Sequence, residues 1–318
     1  MECIRPIKAG FDRAGDITYS IRKFSKELEP FQFPCRKCLA CRLNIAREKA
    51  IRAVHESKIH EGNIFLTLTY NEENLPKNGK LNYLDFQLFM KSLREKINRN
   101  FQNKENKIQI SYMVTGEYGD KTKRPHWHAI IFNYYPTDAK YKYTSDHGEN
   151  VFTSQEISDL WNRGNIEFGT VTMDSAGYVA RYAAKKLAHG KDQEHEYHPI
   201  HKTSSKHAIG KKWIEKYYKD VFSKGYIVLP DGQKAGIPRY YVDWYKKHHL
   251  DDYLKFLSTV KAEAITRAKE QAEKDHLEFL NQCEQATGGI ALKTKQVKMT
   301  ILKQKFKKLQ ERLKNELR

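Results

Sequence analysis

The chain predicts an α+β fold, with helices packed on a central, mainly antiparallel sheet and a helical extension beyond it, and three observations carry that expectation. Short runs rich in β-branched and aromatic residues alternate with stretches whose apolar residues recur at helical spacing. Two of these runs, residues 108–117 and 127–133, follow one another across a polar, basic tip, as the arms of a β-hairpin do. From about Tyr245 onward the pattern is mostly helical.

Taken in order, residues 1–34 show weak periodicity and several turn formers, which reads as an irregular arm or short strands. Leu43, Ile45, Ala46, Ala50, Ile51 and Val54 then mark an amphipathic helix from Arg42 to about His60, stopped at Gly62-Asn63. The run Ile64-Phe65-Leu66-Thr67-Leu68-Thr69-Tyr70 predicts a strand, after which Pro76 and Asn78-Gly79 punctuate a turn. Leu84, Leu88, Met90, Leu93 and Ile97 mark the next helix, and the hairpin with its tip at residues 118–125 follows. Residues 136–150 are polar and read as a surface loop; Ile157, Leu160 and Trp161 suggest a short helix, and residues 165–172 another strand. Ser175 is placed to cap a helix over residues 176–187, which ends before His189-Gly190. Residues 191–212, rich in His, Lys and Ser, read as mobile. Far along, Thr287-Gly288-Gly289 breaks the helical stretch, and Leu302, Phe306, Leu309, Leu313 and Leu317 repeat along a last helix. Residues 293–318 hold ten Lys or Arg against two Glu, so that helix is a solvated basic face over an apolar stripe, or a surface for origin binding or self-association.

Composition narrows the function classes. With 57 Lys and Arg against 39 Asp and Glu in 318 residues, the formal net charge is +18, which favours a polyanionic partner through counterion release. Nucleic acid leads and an anionic membrane surface is second. No apolar run is long enough to span a bilayer, and the first ten residues lack the apolar core of a secretion signal, so the expected compartment is a cytoplasm. No Walker-type phosphate loop is present, which argues against a helicase motor in this chain.

Two constellations carry chemistry. In His126-Trp127-His128, at the start of a strand, residues two apart project from one face, so both imidazoles can meet one ion. Folding the hairpin about Lys121-Thr122 sets Glu117 almost opposite His126, which supplies a third ligand and leaves positions open for water and phosphate oxygens. Standing alone, His-x-His on a strand is as readily chance, and Glu117 a solvated strand end. The second constellation is Tyr178 and Tyr182, four residues apart and therefore stacked on one helical face among small residues. A phenol, with a pKa of about 10, is both a covalent nucleophile and a usable leaving group, so a phosphotyrosine link keeps the energy of a broken phosphodiester. Lys185 and Lys186 stand one turn further on, where they can neutralise a pentavalent phosphate or contact the backbone. Tyrosines at helical spacing are often plain packing; the co-occurrence of both constellations in one basic chain is what points to DNA strand transfer.

The five cysteines do not form a secreted disulfide framework. Cys35, Cys38 and Cys41 have spacings suited to a structural Zn²⁺, with Cys3, Cys283 or His55 as fourth ligand, or they are three reduced thiols at a helix start. Lys123, Arg124, Arg181, Ser205 and Lys206 are the expected DNA contacts.

These residues resemble the HUH endonuclease superfamily, and within it the replication initiators of microviruses, in their gokushovirus branch. The strand Phe65 to Asn71 with Leu75-Pro76 is similar to the family's first motif; Gly116-Glu117-Tyr118-Gly119 with Arg124-Pro125-His126-Trp127-His128 is similar to the metal-binding second motif. The segment from Tyr178 to Lys186 is similar to the two-tyrosine third motif, and the cysteine triplet and Gly210-x-x-Trp213 fit the same branch. The likeness covers roughly residues 34–245, with its motifs in the family's order. It implies an HUH nuclease core at residues 35–190, after an N-terminal arm (1–34) and before a basic, DNA-contacting extension (191–250) and a basic helical tail (251–318). It implies Mg²⁺ or Mn²⁺ as working metal and a rolling-circle initiator that nicks one strand of origin DNA, with Tyr182 taken as the first to attack. The expected partners are the single-stranded origin, the duplex replicative form, and a host helicase and DNA polymerase in the cytoplasm of a bacterium. Rival readings are a two-tyrosine transposase of the same chemistry and a non-catalytic basic nucleic-acid-binding protein.

Overall fold

The computed structural model describes residues 3–99, 107–119, 122–145, 148–185, 200–204, 206–287 and 294–315; the side chains of 181–185, 294–296, 298 and 309–315 lie outside that description. The chain divides into two compact units, one of residues 1–45 with 264–318 and the other of residues 46–263.

In the first unit the expected short strands are β1 (Ile7–Phe11), β2 (Ile17–Thr18) and β3 (Phe31–Phe33), in the order β2-β1-β3 with antiparallel pairing. The sheet has almost no core, for Ala9 and Gly10 are its only buried strand residues. Helix α1 (Leu39–Ser57) begins one turn earlier than its apolar spacing predicts, directly after Cys38.

The second unit is built on β4 (Asn63–Thr69), α2 (Tyr83–Asn98), β5 (Ser111–Tyr118), β6 (Pro125–Phe132), β7 (Lys140–Thr144), β8 (Asn150–Thr153), α3 (Gln155–Trp161), β9 (Ile166–Gly169), α4 (Met173–Lys185) and β10 (Ile200–Thr203). Its seven strands form one sheet, β10-β5-β6-β4-β9-β8-β7, antiparallel at every pairing. One face is a dry core. Ile64, Leu66 and Leu68 of β4, Val114 of β5 and Trp127, Ala129 and Ile131 of β6 pack there with Phe86, Phe89, Met90 and Leu93 of α2 and Ile157 and Trp161 of α3. Because side chains alternate along a strand, Thr67, Thr115, Glu117, His126 and His128 all project from the opposite face. That face is where α4 packs against β5, β6 and β10, and where Glu56 of α1 accepts a hydrogen bond from Ser111.

Three expectations need correction. Residues 136–150 are not all loop, since β7 and β8 extend the sheet from Lys140. Every residue of β7 is exposed, so no apolar alternation marks it as a strand. Within 191–212, residues 191–199 and Ser205 lie outside the described residues, but residues 200–203 are the edge strand β10, paired with β5. The cap of α4 is Thr172 rather than Ser175: the Ser175 amide donates to Thr172 Oγ1 (3.1 Å) and the Thr172 amide to Ser175 Oγ (2.8 Å), a reciprocal box that satisfies donors on both sides of the helix start.

Helices also begin before Tyr245. After α5 (Lys211–Lys224) and the small hairpin of β11 (Ile227–Val228) and β12 (Lys234–Ala235) come α6 (Arg239–His248) and α7 (Leu250–Phe256). Ile214, Val221, Phe222, Tyr241, Trp244 and Tyr245 close a second core against Ile51 of α1. Within it His55 stacks on Trp213 at 3.5 Å between centroids, and its Nδ1 lies 3.0 Å from the Tyr241 hydroxyl. A π-helical turn (Leu257–Lys261) leads into α8 (Ala262–Thr287), and α9 (Thr294–Asn315) follows beyond the expected break.

Candidate active site

The β5–β6 hairpin positions the first group. Its register pairs Glu117 with His126 and Thr115 with His128, the pairing that folding about Lys121-Thr122 predicts. Glu117, His126 and His128 consequently bring one donor atom each within 4.8 Å of one another, with Glu117 and His128 buried and His126 half-buried. Glu117 Oε1 lies 3.4 Å from His128 Nε2.

Neighbouring strands orient the rings. His128 Nδ1 lies 3.0 Å from Thr67 Oγ1 on β4, and His126 Nδ1 donates to the Arg124 carbonyl at 3.1 Å. Hydrogen bonding at Nδ1 assigns the ligand role to Nε2 in both imidazoles. Phe65, also on β4, stacks on His128 (5.7 Å, 4°) and meets Tyr178 edge-on (6.4 Å, 87°). Neither Thr67 nor Phe65 stands out in the sequence as more than an ordinary strand residue; only the strand order β5-β6-β4 brings them beside the histidines.

Helix α4 delivers the phenol. Its Thr172–Ser175 box fixes the start, Ala176, Val179 and Ala180 are buried, and the Tyr178 hydroxyl donates to Glu117 Oε1 at 3.3 Å with its ring 5.1 Å from that of His128. Tyr182, Lys185 and Arg181 follow on the same helix, their side chains outside the described residues, and Lys186 lies outside them altogether. Of the expected DNA contacts, Lys123 is exposed at the hairpin tip in a left-handed conformation (φ 53°), and Lys206 is exposed beyond β10. Arg124 is held by the protein itself, its guanidinium donating twice to the Tyr70 carbonyl (3.1 and 2.7 Å) and pairing with Glu72. His201, read from sequence as part of a mobile segment, pairs with Thr115 on the ligand face of the sheet.

The opposite side of β6 is locked. Trp127, fully buried, donates to the Tyr70 hydroxyl at 2.8 Å, which donates to Asp85 at 3.0 Å. Gly116 leaves room for that indole, because a Cβ there would meet it at 2.5 Å.

The cysteines form a separate group: Cys3 joins Cys35, Cys38 and Cys41, all four sulfurs lying within 4.8 Å of one another. Among the alternatives left by spacing, Cys283 is buried but is not one of the four, and His55 is engaged with Trp213 and Tyr241.

Comparison with known proteins decides the family. The chain is 60% identical over 316 residues to "Replication-associated protein VP4" of Bdellovibrio phage phiMH2K, covering 99% of this chain and all of that protein. The chain belongs to the replication-associated proteins of the microviruses. It is also 31% identical to "Replication-associated protein ORF4" of Chlamydia phage 1 (74% of this chain, 57% of that protein) and 32% identical to "Replication-associated protein ORF2" of Spiroplasma virus 4 (70% and 71%). The family of replication-associated proteins of the ORF2 type matches residues 63–187, which run from β4 through α4 and so include the hairpin ligands and both tyrosines. No solved structure matches the chain. The antiparallel sheet with its flanking helices is an HUH-type core, as the motifs of this replication-protein family imply. Among the described residues no helix is long and apolar enough to cross a membrane.

Proposed function

We propose that this replication-associated protein initiates rolling-circle replication by nicking one strand of the viral origin and holding the new 5′ phosphate on tyrosine. The observation that carries the reading is the hydrogen bond from Tyr178 to Glu117, because it sets a phenol from a later helix against the group suited to a divalent ion.

The donor set fits Mg²⁺ or Mn²⁺: one carboxylate and two imidazoles gather on one sheet face and leave coordination positions for water and phosphate. Glu117, His126 and His128 would hold such an ion, which supplies Lewis-acid polarisation of a non-bridging phosphate oxygen. The chain's own residues do the rest. Exposed Lys123 and Lys206 help draw the single strand onto the sheet. The phenol oxygen attacks phosphorus in line; the new bond is phosphorus to tyrosine oxygen, the bond broken is phosphorus to the 3′ oxygen, and that oxygen leaves as a 3′ hydroxyl. Tyr178 already directs its proton at Glu117, which supports it rather than Tyr182 for the first cut. The other phenol then cleaves the regenerated site, and attack by the 3′ hydroxyl on the phosphotyrosine closes the released strand. Lys185 and Lys186 neutralise charge at the phosphate. A host polymerase extends the 3′ end and a host helicase opens the duplex, in the cytoplasm of the infected bacterium.

Incubation of an origin-derived single strand with Mn²⁺, read on a denaturing gel, tests this. The wild type should form a covalent adduct and the Tyr178→Phe/Tyr182→Phe double variant none, with the single variants assigning the first cut. Binding without adduct by the wild type would refute the enzymatic reading and leave a DNA-binding module.

A further inference from the structure

The cysteine group has no part in that chemistry. We propose that Cys3, Cys35, Cys38 and Cys41 bind one Zn²⁺ as a structural site, joining the N-terminal segment to the start of α1. The sulfur spacing carries this. Cys3 Sγ lies 3.9 Å from Cys38 Sγ, and Cys35 Sγ 4.0 Å from Cys41 Sγ. Four sulfurs in a tetrahedron about 2.3 Å from a central zinc stand about 3.8 Å apart, whereas a disulfide brings two sulfurs to about 2.05 Å. The group therefore has the dimensions of a tetrathiolate cage.

The backbone is folded to support thiolate charge. The amide of Cys35 donates to Cys3 Sγ at 3.2 Å and that of Cys38 to Cys35 Sγ at 3.3 Å. Arg36 adopts a left-handed conformation (φ 57°), which turns the chain so that the second of these amides points back at the sulfur. Four thiolates around Zn²⁺ carry a net double negative charge, and Arg36, Lys37 and Arg42 lie in the same segment to offset it.

There is also a physical need for such a site. The β2-β1-β3 sheet has strands of five, two and three residues, and Ile7, Ile17 and Phe33 on them are exposed. A sheet this small with two buried strand residues cannot offset its ordering entropy by burial, so a metal cross-link from Cys3 to the α1 start supplies what the core does not. An all-sulfur donor set selects Zn²⁺ and not the hard ions suited to Glu117, His126 and His128, so the two groups load independently.

Metal analysis of the full-length chain, purified without chelator from zinc-supplemented cells, tests the proposal. We expect one zinc per chain, retained in a His126→Ala/His128→Ala variant, and thiolate-to-cobalt charge-transfer absorption with tetrahedral d–d bands after exchange into Co²⁺. Cys3→Ser should lose zinc to a competing chelator at least about tenfold faster, and Cys283→Ser at the wild-type rate. Chelation should speed proteolysis within residues 1–45. The wild-type metal content and cobalt spectrum require no variant, so misfolding of Cys3→Ser cannot mask the result. Zinc absent from the wild type, iron in its place, or zinc lost with the two histidines would overturn the proposal.

Discussion

Tyr178 and Glu117, 61 positions apart in the chain, meet in a hydrogen bond of 3.3 Å beneath helix α4. Glu117 thereby faces both His128 and the phenol, and one carboxylate links the hairpin ligands to the helix that follows β9.

Replacing Glu117 by Gln keeps the shape and a hydrogen-bond acceptor but removes the charge. Affinity for Mn²⁺ should fall at least about tenfold, about 1.4 kcal/mol, and adduct formation at limiting Mn²⁺ should fall with it. Isothermal titration measures the first; an unchanged affinity would remove Glu117 from the ligand set.

Thr67→Val removes the hydroxyl beside His128 Nδ1 while conserving volume. Partners of this kind orient a ligand ring, and their loss costs about 10- to 100-fold in metal affinity. The expected signature is weaker Mn²⁺ binding with a thermal midpoint close to that of the wild type, read by calorimetry on both samples.

Gly116→Ala drives a methyl against the Trp127 indole, which has no space to retreat in a fully buried position. Overpacking of this type costs about 1–3 kcal/mol, which a urea denaturation curve resolves. A neutral outcome would mean that the indole and its hydrogen bond to Tyr70 shift freely.

Burial, with a smaller contribution from the charge of Lys58, lowers the His55 pKa to about 3. At pH values between about 6.5 and about 3 the unfolded chain binds a proton that the folded chain refuses, so the contribution of neutral His55 is complete above about 6.5 and declines as pH falls. His55→Gln should therefore be less stable than the wild type at pH 7.5 and show a shallower loss between pH 6.5 and pH 5, by on the order of 1 kcal/mol. Parallel slopes for the two proteins would contradict this.

The hairpin was legible in the sequence because its two arms are long, apolar at alternate positions and joined by one polar tip, so one folding point sets both the strands and the Glu117–His126 pairing. The helix carrying Tyr178 was legible from spacing, but its first residue was not: Thr172 and Ser175 are both hydroxyl residues, and in a reciprocal box the second one looks like the cap. Strand β7 reads Lys-Tyr-Lys-Tyr-Thr with every side chain exposed, and β10 contributes Ile-His-Lys-Thr at a sheet edge; neither buries the alternating stripe on which strand reading depends. Helix α5 did leave a signal, Ile214, Tyr218, Val221 and Phe222 at helical spacing before Gly225, within a region whose charge obscures it. The cysteine spacing indicated a cage with three walls; whether Cys3, Cys283 or His55 closed it depended on the path of the intervening chain.

Strand β6 sets His126, Trp127 and His128 on alternate sides, so its imidazoles share a backbone with the largest side chain of the dry core. Fluctuations that spread the ligands must also pull an indole out of its packing, which ties the rigidity of the hairpin to global unfolding rather than to local breathing. Amide exchange along residues 125–132 should accordingly be as slow as anywhere in the molecule, and the motion that admits and releases a DNA end falls to α4.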